Sequence, residues 1–250
     1  MRKSLRPVCL LMALVVTLSA FSQSRELQIF RNGILIKAYP ISEIDSVKIA
    51  LTPESVDLGL PSGTLWATYN VGASSPEEYG DFFAWGETET KDPYNYSWGN
   101  YKHCNGSYTS LTKYNTYGGY GTVDNKTELD PEDDAAYLFW GPDWRMPSYD
   151  QFNELINGSY TTITKVTQNG VEGKLITSKA NGKSIFLPAA WEGYEIDVSQ
   201  AIGTGGGYWS RSLYTSSPNF AYRLLTVSND IILSYYYRCQ GHAVRPVRDQ

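Results

Sequence analysis

The sequence predicts an α+β fold in which strands far outnumber helices, preceded by a small N-terminal β-hairpin. Three observations carry that expectation. Short runs rich in β-branched and aromatic residues recur between Gly, Pro, Asn and Ser from residue 54 onward, the pattern of strands joined by tight turns. Asn-Gly pairs stand between several of these runs, and Asn-Gly supplies the positive φ angles that two-residue hairpin turns require. Helix start signals occur at two places in this region.

Residues 1–22 are read as a secretory signal peptide and kept out of the fold. Arg2, Lys3 and Arg6 form a positive start, and Val8 to Phe21 is apolar apart from Thr17 and Ser19. That run is shorter than the roughly 20 apolar residues of a membrane helix. Ala20 and Ser22 place small residues three and one positions ahead of a cleavage before Gln23. An uncleaved anchor is the alternative. No later stretch is apolar enough to span a bilayer, so no integral membrane segment is expected after cleavage. The expected location is exported: extracellular, cell surface or periplasm-facing envelope.

Residues 23–53 read as the hairpin element and its linker. Leu27 and Ile29, then Ile34 and Ile36, alternate with polar residues around Arg31-Asn32-Gly33, which predicts a β-hairpin at 26–38. Ile41, Ile44 and Val47 share one face of a short turn, followed by a strand through Ile49. Two strands alone are marginal in water, so this piece needs a partner surface or serves as a stalk. Pro53 marks the boundary, and residues 54–250 form the main domain, long enough to bury one core.

Within that domain the strand candidates are Asp81 to Trp85, Thr161 to Val166, Val171 to Thr177, Ser184 to Leu187, Tyr208 to Ser210, Ala221 to Val227 and Ile231 to Tyr237. Asn169-Gly170 and Asn181-Gly182 join three of them into a meander over 160–188. One helix starts at Ser148, whose hydroxyl and the Gln151 side chain have the spacing of a capping box, with Phe152, Leu155 and Ile156 on one face. A shorter helix is expected from Asp133 to Phe139, capped by Asp133 or Asp134. The acidic cluster Glu128, Asp130, Glu132, Asp133, Asp134 lacks the mid-loop glycine and closing glutamate of an EF-hand, so it is read as caps and solvated surface, with no metal expected.

Charge and rare residues limit the chemistry. Removing residues 1–22 takes away three basic residues and no acidic one, which moves the formal charge from −5 to −8. No Lys/Arg cluster supplies the counterion release that nucleic-acid binding draws on, so no nucleic-acid partner is expected. Cys104 and Cys239 remain, either as one disulfide in an oxidising compartment or as two buried free thiols. His103 and His242 have no evident nucleophile or carboxylate partner in sequence, so no catalytic residues and no cofactor are expected.

The richest constellation is aromatic. Tyr94, Tyr96, Trp98, Tyr101, Tyr108, Tyr114, Tyr117 and Tyr120 stand among Asn, Gly, Ser and Thr between Lys91 and Thr127, a composition like that of an antibody paratope. Of these, Tyr94, Tyr96, Trp98, Tyr101, Tyr108, Tyr117 and Tyr120 are taken as candidate ligand contacts. The competing reading is that the rings pack beneath a long loop that needs its own core. Trp66, Trp85, Trp140, Trp144 and Trp209 are assigned to the core. Arg145 and Arg245 are expected in buried charge networks, with Asp81 and Asp134 as partners.

Several ordered blocks resemble a known family. Val56-Asp57-Leu58-Gly59-Leu60-Pro61-Ser62-Gly63 with Leu65-Trp66-Ala67, then Ala84-Trp85-Gly86-Glu87, Trp144-Arg145-Met146-Pro147, Gly207-Tyr208-Trp209-Ser210 and Val244-Arg245-Pro246-Val247, are similar to the major paralogous domain of the Fibrobacter succinogenes type (FISUMP). That family is common on surface proteins of Bacteroidetes and Fibrobacteres. The resemblance covers 56–247. It implies a C-type-lectin-like fold, also similar to formylglycine-generating enzymes, with a looped antiparallel sheet and two short helices. The Glu-Pro-Asn, Gln-Pro-Asp and Trp-Asn-Asp motifs of calcium-dependent lectins do not occur here. The implied function is a secreted or cell-surface, non-enzymatic module that recognises a glycan or a surface protein through its long loops, within an adhesin or fimbrial assembly. A display scaffold without a dedicated ligand is one alternative, and a formylglycine-generating-enzyme-like oxidase built on Cys104 and Cys239 is the other.

Overall fold

The computed structural model describes residues 26–31, 34–43, 53–189, 205–227 and 230–249. The signal segment, the expected Asn32-Gly33 turn and the strand expected through Ile49 lie outside the described residues. The chain divides into two compact units, Met1–Leu51 and Thr52–Gln250. In the first, β1 (Glu26–Arg31) and β2 (Ile34–Pro40) pair antiparallel, with a bulge between Ile29 and Phe30. A 3-10 turn, Ile41–Glu43, follows.

The second unit is mixed α+β, mostly antiparallel sheet. It contains β3 (Ser55–Asp57), β4 (Leu65–Ala67), β5 (Phe82–Phe83), α1 (Ala135–Trp140) and α2 (Tyr149–Leu155). The meander of β6 (Thr161–Gln168), β7 (Val171–Ser178) and β8 (Ser184–Pro188) comes next. Then follow β9 (Gly205–Leu213), β10 (Phe220–Val227), β11 (Asp230–Tyr237), β12 (His242–Ala243) and β13 (Val247–Arg248). A five-stranded sheet runs β11-β10-β9-β12-β5, and β13-β4-β3 and β6-β7-β8 form three-stranded sheets. Each run expected to be a strand in this domain contains one, although of Asp81 to Trp85 only Phe82–Phe83 is strand. The short strands β3, β4, β12 and β13 were not expected, because two or three residues are too few to show a period of two.

Local chemistry explains the turns and caps. Asn169 and Gly170 both take positive φ, 48° and 85°, as the tight turn between β6 and β7 demands. The capping box at α2 is complete: Gln151 N donates to Ser148 Oγ (3.1 Å) and Ser148 N donates to Gln151 Oε1 (2.8 Å). Phe152 and Leu155 are its buried face. The earlier helix starts at Ala135, later than expected, because Pro131–Asp133 forms a separate 3-10 turn and Asp134 is the residue that caps Tyr137 N (3.1 Å).

Trp66, Trp85, Trp144 and Trp209 are buried in the core. Trp85 Nε1 donates to Ser210 O (2.7 Å) and Trp209 Nε1 to Phe83 O (2.8 Å), so each ring also closes a polar gap. Trp140, expected in the core, is half-buried and meets Trp144 edge-on. Arg145 Nε donates to Asp134 Oδ2 at 2.8 Å, as expected. Arg245 departs from expectation. It is wholly buried, yet its acceptors are neutral: Asn70 Oδ1 (2.8 Å), Ala67 O (3.1 Å) and Phe186 O (3.0 Å), and it forms no ion pair with Asp81. Burial lowers its pKa to about 10, which leaves it protonated at neutral pH. Three carbonyl-type dipoles therefore replace the carboxylate that was expected.

Candidate functional site

The long segment from Lys91 to Thr127 is held down by its own tyrosines. Tyr96 Oη donates to Phe82 O (2.5 Å), Tyr101 Oη to Trp85 O (2.7 Å) and Tyr114 Oη to Asp133 Oδ2 (2.7 Å). Beneath them lies Arg238, fully buried at the end of β11. Its Nε donates to Tyr101 Oη (2.9 Å), Nη1 to Tyr114 O and Pro218 O (both 2.9 Å), and Nη2 to Lys113 O (3.0 Å). The guanidinium also lies 4.8 Å from the Trp85 ring centre. One side chain thus ties the loop to the sheet. Gly121 closes the loop on itself: its φ is +126°, and a Cβ there would stand 2.3 Å from Leu111 O.

The acidic cluster is structural in a way the sequence reading missed. Asp130, Glu132 and Asp133 bring carboxylate oxygens within 4.8 Å of one another. Lys113 Nζ sits among them, 2.7 Å from Asp130, 2.6 Å from Asp133 and 3.4 Å from Glu132, where a cation would sit. Lys102 Nζ adds a contact to Asp133 at 2.8 Å. Burial favours the protonated acid at Asp133, but the bonds from Lys102, Lys113 and Tyr114 outweigh it and hold the pKa down to about 2. The pair of lysines, rather than solvent, answers this charge.

The seven candidate ligand contacts divide into two groups. Tyr96 and Tyr101 are 5% and 3% exposed, so they are anchors rather than contacts, a correction that follows from their bonds to Phe82 O and Trp85 O. Tyr114 is buried as well. Tyr94, Tyr108 and Tyr117 are exposed, and Trp98 and Tyr120 are half-buried. The outer rings make a connected file: Tyr117 to Tyr120 (6.1 Å between centres), Tyr120 to Tyr108 (6.5 Å), Tyr108 to Trp98 (6.3 Å).

That file does not end at the loop. Trp98 meets Tyr237 edge-on at 6.1 Å, Tyr237 stacks on Phe220 at 4.5 Å, and Phe220 meets Tyr235 at 5.4 Å. Tyr235 stacks on Tyr214 at 4.0 Å, Tyr214 meets Tyr222 at 5.3 Å, and Tyr222 packs on Tyr149 at 4.4 Å. The sheet register explains the placement. Phe220 faces Tyr237 and Tyr222 faces Tyr235 across β10 and β11, all on one side by the period of two. Further along that side, Leu224 and Ile231 are covered by core, whereas the aromatic end emerges with Tyr235 and Tyr237 exposed. The result is an aromatic belt from the long loop across the sheet to the start of α2. Sequence reasoning saw these residues as strand formers. The run Tyr235-Tyr236-Tyr237 was the available signal, since three successive rings in a strand must place at least one on each face.

Cys104 and Cys239 are both free and buried, and both belong to the small apolar cluster under the loop with Tyr96, Tyr101 and Leu111. Of the two alternatives, the structure has the free thiols. Cys104 Sγ donates to Trp98 O at 3.1 Å, and burial pushes the Cys239 thiol up to about 12. A thiol kept protonated is a poor nucleophile.

The histidines are buried too. His103 Nε2 bonds Gly86 O at 2.7 Å, and burial lowers its pKa to about 4. Burial and the nearby Arg223 hold His242 well below its ordinary range. In the unfolded chain both take up a proton near pH 6.5, whereas His103 in the folded chain resists protonation until about pH 4. Below pH 6.5 the unfolded state therefore binds more protons, and stability falls as pH drops from about 6.5 towards 4. For His103 the loss is on the order of 3 kcal/mol. Urea unfolding across that range is expected to show it, with a shallower slope in His103→Gln; a flat profile would refute the assignment.

No described helix is long and apolar enough to cross a membrane. Comparison with protein-family models, with curated proteins and with solved structures gives no match.

Proposed function

We propose that this chain is an exported surface module of C-type-lectin-like fold, resembling the FISUMP family, that recognises a glycan or a surface protein without catalysing a reaction. The aromatic belt is the observation that carries this reading. Soluble monomers rarely leave a contiguous file of large rings at their surface without a use for it. Tyr and Trp give rigid contact area at small entropic cost, and their polar tips bond a hydrated ligand. The Lys113 ammonium held by Asp130 and Asp133 argues for recognition that does not run through calcium at that cluster.

A display scaffold is the second reading, favoured by one observation: Tyr96, Tyr101 and Tyr114 serve the loop's own architecture. An oxidase would need a reactive thiol pair, which two buried thiols do not supply. Glycan and matrix-protein arrays probed with the intact chain, with and without chelator, separate the readings. Binding that survives chelator and drops about tenfold or more in a Tyr235→Ser/Tyr237→Ser variant is expected. An absence of binding on both arrays would leave the scaffold.

A further inference from the structure

An Asn-Gly pair is a turn former and also a reactive couple, because glycine leaves its backbone nitrogen unshielded beside the side-chain amide carbon of Asn. The chain has five such pairs, at Asn32, Asn105, Asn157, Asn169 and Asn181. Asn32 lies outside the described residues. Reaction requires the side chain to turn until its Cγ meets the following nitrogen, so hydrogen bonds to the amide or to the linking peptide oppose it.

Three of the four described pairs are held. Asn181 donates through Nδ2 to Asp57 O (3.0 Å) and accepts from Lys183 N at Oδ1 (3.0 Å), while Gly182 N donates to Ser178 O (3.1 Å). Asn169 Nδ2 donates to Glu77 Oε1 (2.8 Å) in the turn between β6 and β7. Asn157 Oδ1 accepts from Ser159 N (2.9 Å), and its carbonyl, part of the peptide that would have to rotate, accepts from Tyr160 N (2.9 Å) and Thr161 N (3.1 Å). Asn105 differs. It is exposed, and among the described residues neither its side chain, nor its carbonyl, nor Gly106 N makes a hydrogen bond. Apart from its chain neighbours, no atom lies within 4 Å of where a Cβ of Gly106 would stand, so the reacting peptide has room to rotate. The hold stops one atom short: Asn105 N still donates to Ser110 O (3.0 Å).

We propose that Asn105 is a site of spontaneous covalent modification, deamidation by way of a succinimide, within the loop that carries the aromatic belt. Gly106 N attacks Asn105 Cγ. The new N–C bond replaces the bond from Cγ to the side-chain nitrogen, and that nitrogen leaves as ammonia, taking the Gly106 proton. Water then opens the ring at either carbonyl and gives aspartate or isoaspartate, with no oxidant or cofactor consumed. Both products carry a carboxylate in place of an amide, and isoaspartate also adds one methylene to the main chain. Cys104 and Leu111 bridge across the base of this loop, and exposed Tyr108 stands between them, so the new charge and length enter the short segment that presents a belt ring. The reaction is independent of whether the belt holds a ligand.

Timed incubation of the intact chain at mildly alkaline pH, followed by peptide mapping in a mass spectrometer, tests the proposal. Asn105 is expected to lose its amide roughly fivefold or more faster than Asn157, Asn169 and Asn181, since each of those must first give up a hydrogen bond. In urea the four sites should converge, because all share glycine as the next residue and the bonds that separate them belong to the fold. Asn105→Gln, with a side chain one carbon too long for the succinimide, should remain folded and form no acid at this position over the same time. Faster loss at any of the three held sites, an Asn105 that stays intact, or the same ranking in urea as in buffer would overturn the proposal.

Discussion

Arg238→Ala is expected to lower the unfolding free energy by about 3–5 kcal/mol, the loss seen when a buried charged hydrogen-bond hub is removed. The carbonyls of Lys113, Tyr114 and Pro218 and the Tyr101 hydroxyl would lose their donor together, in a place water does not reach. For a domain of this length that is a fall in Tm of roughly 10 °C. Arg238→Lys should rescue little, because a single ammonium has three donors and no planar fork. Hydrogen exchange would locate the damage: amides between Lys91 and Thr127 should lose protection beyond the rest of the domain. An unchanged midpoint would show that the loop is held by its tyrosines alone.

Arg145→Ala is the second large effect. It removes the counter-charge of Asp134, a carboxylate with no exposed surface, and leaves Leu129 O without its donor. Tyr137 N and Met146 N still donate to Asp134, so part of its charge remains answered. A loss of about 2–4 kcal/mol follows, less than for Arg238 because the Arg145 side chain is 31% exposed. A double-mutant cycle with Asp134→Asn measures the pair itself: the coupling should account for most of the loss. Additive effects, or a thermal midpoint equal to that of the parent, would reject the network.

Much of the architecture was legible because it rests on neighbours in the chain. The alternation in Thr161 to Thr177, the Asn169-Gly170 turn and the Ser148/Gln151 cap each involve residues a few positions apart, and each formed as expected. Asp134 was legible as a partner of Arg145 because a helix cap and an arginine eleven residues on fall within one supersecondary unit. Asp81 was not a partner of Arg245, since a buried guanidinium accepts carbonyl oxygens as readily as a carboxylate and sequence does not tell them apart.

The candidate site divides along the same line. That the stretch from Lys91 to Thr127 is rich in rings was plain from composition, but composition did not separate Tyr101, an anchor, from Tyr108, an exposed contact. That separation depends on which side of the loop meets Trp85 and Arg238, residues from two other parts of the chain. The belt has the same origin. Trp98 and Tyr237 are far apart in sequence and become neighbours only when the loop folds over the end of β11. Periodicity and caps report short-range preferences, so they established strands, turns and helix starts. Burial and ring contact are set by long-range packing, where a residue's role depends on what the fold brings to it.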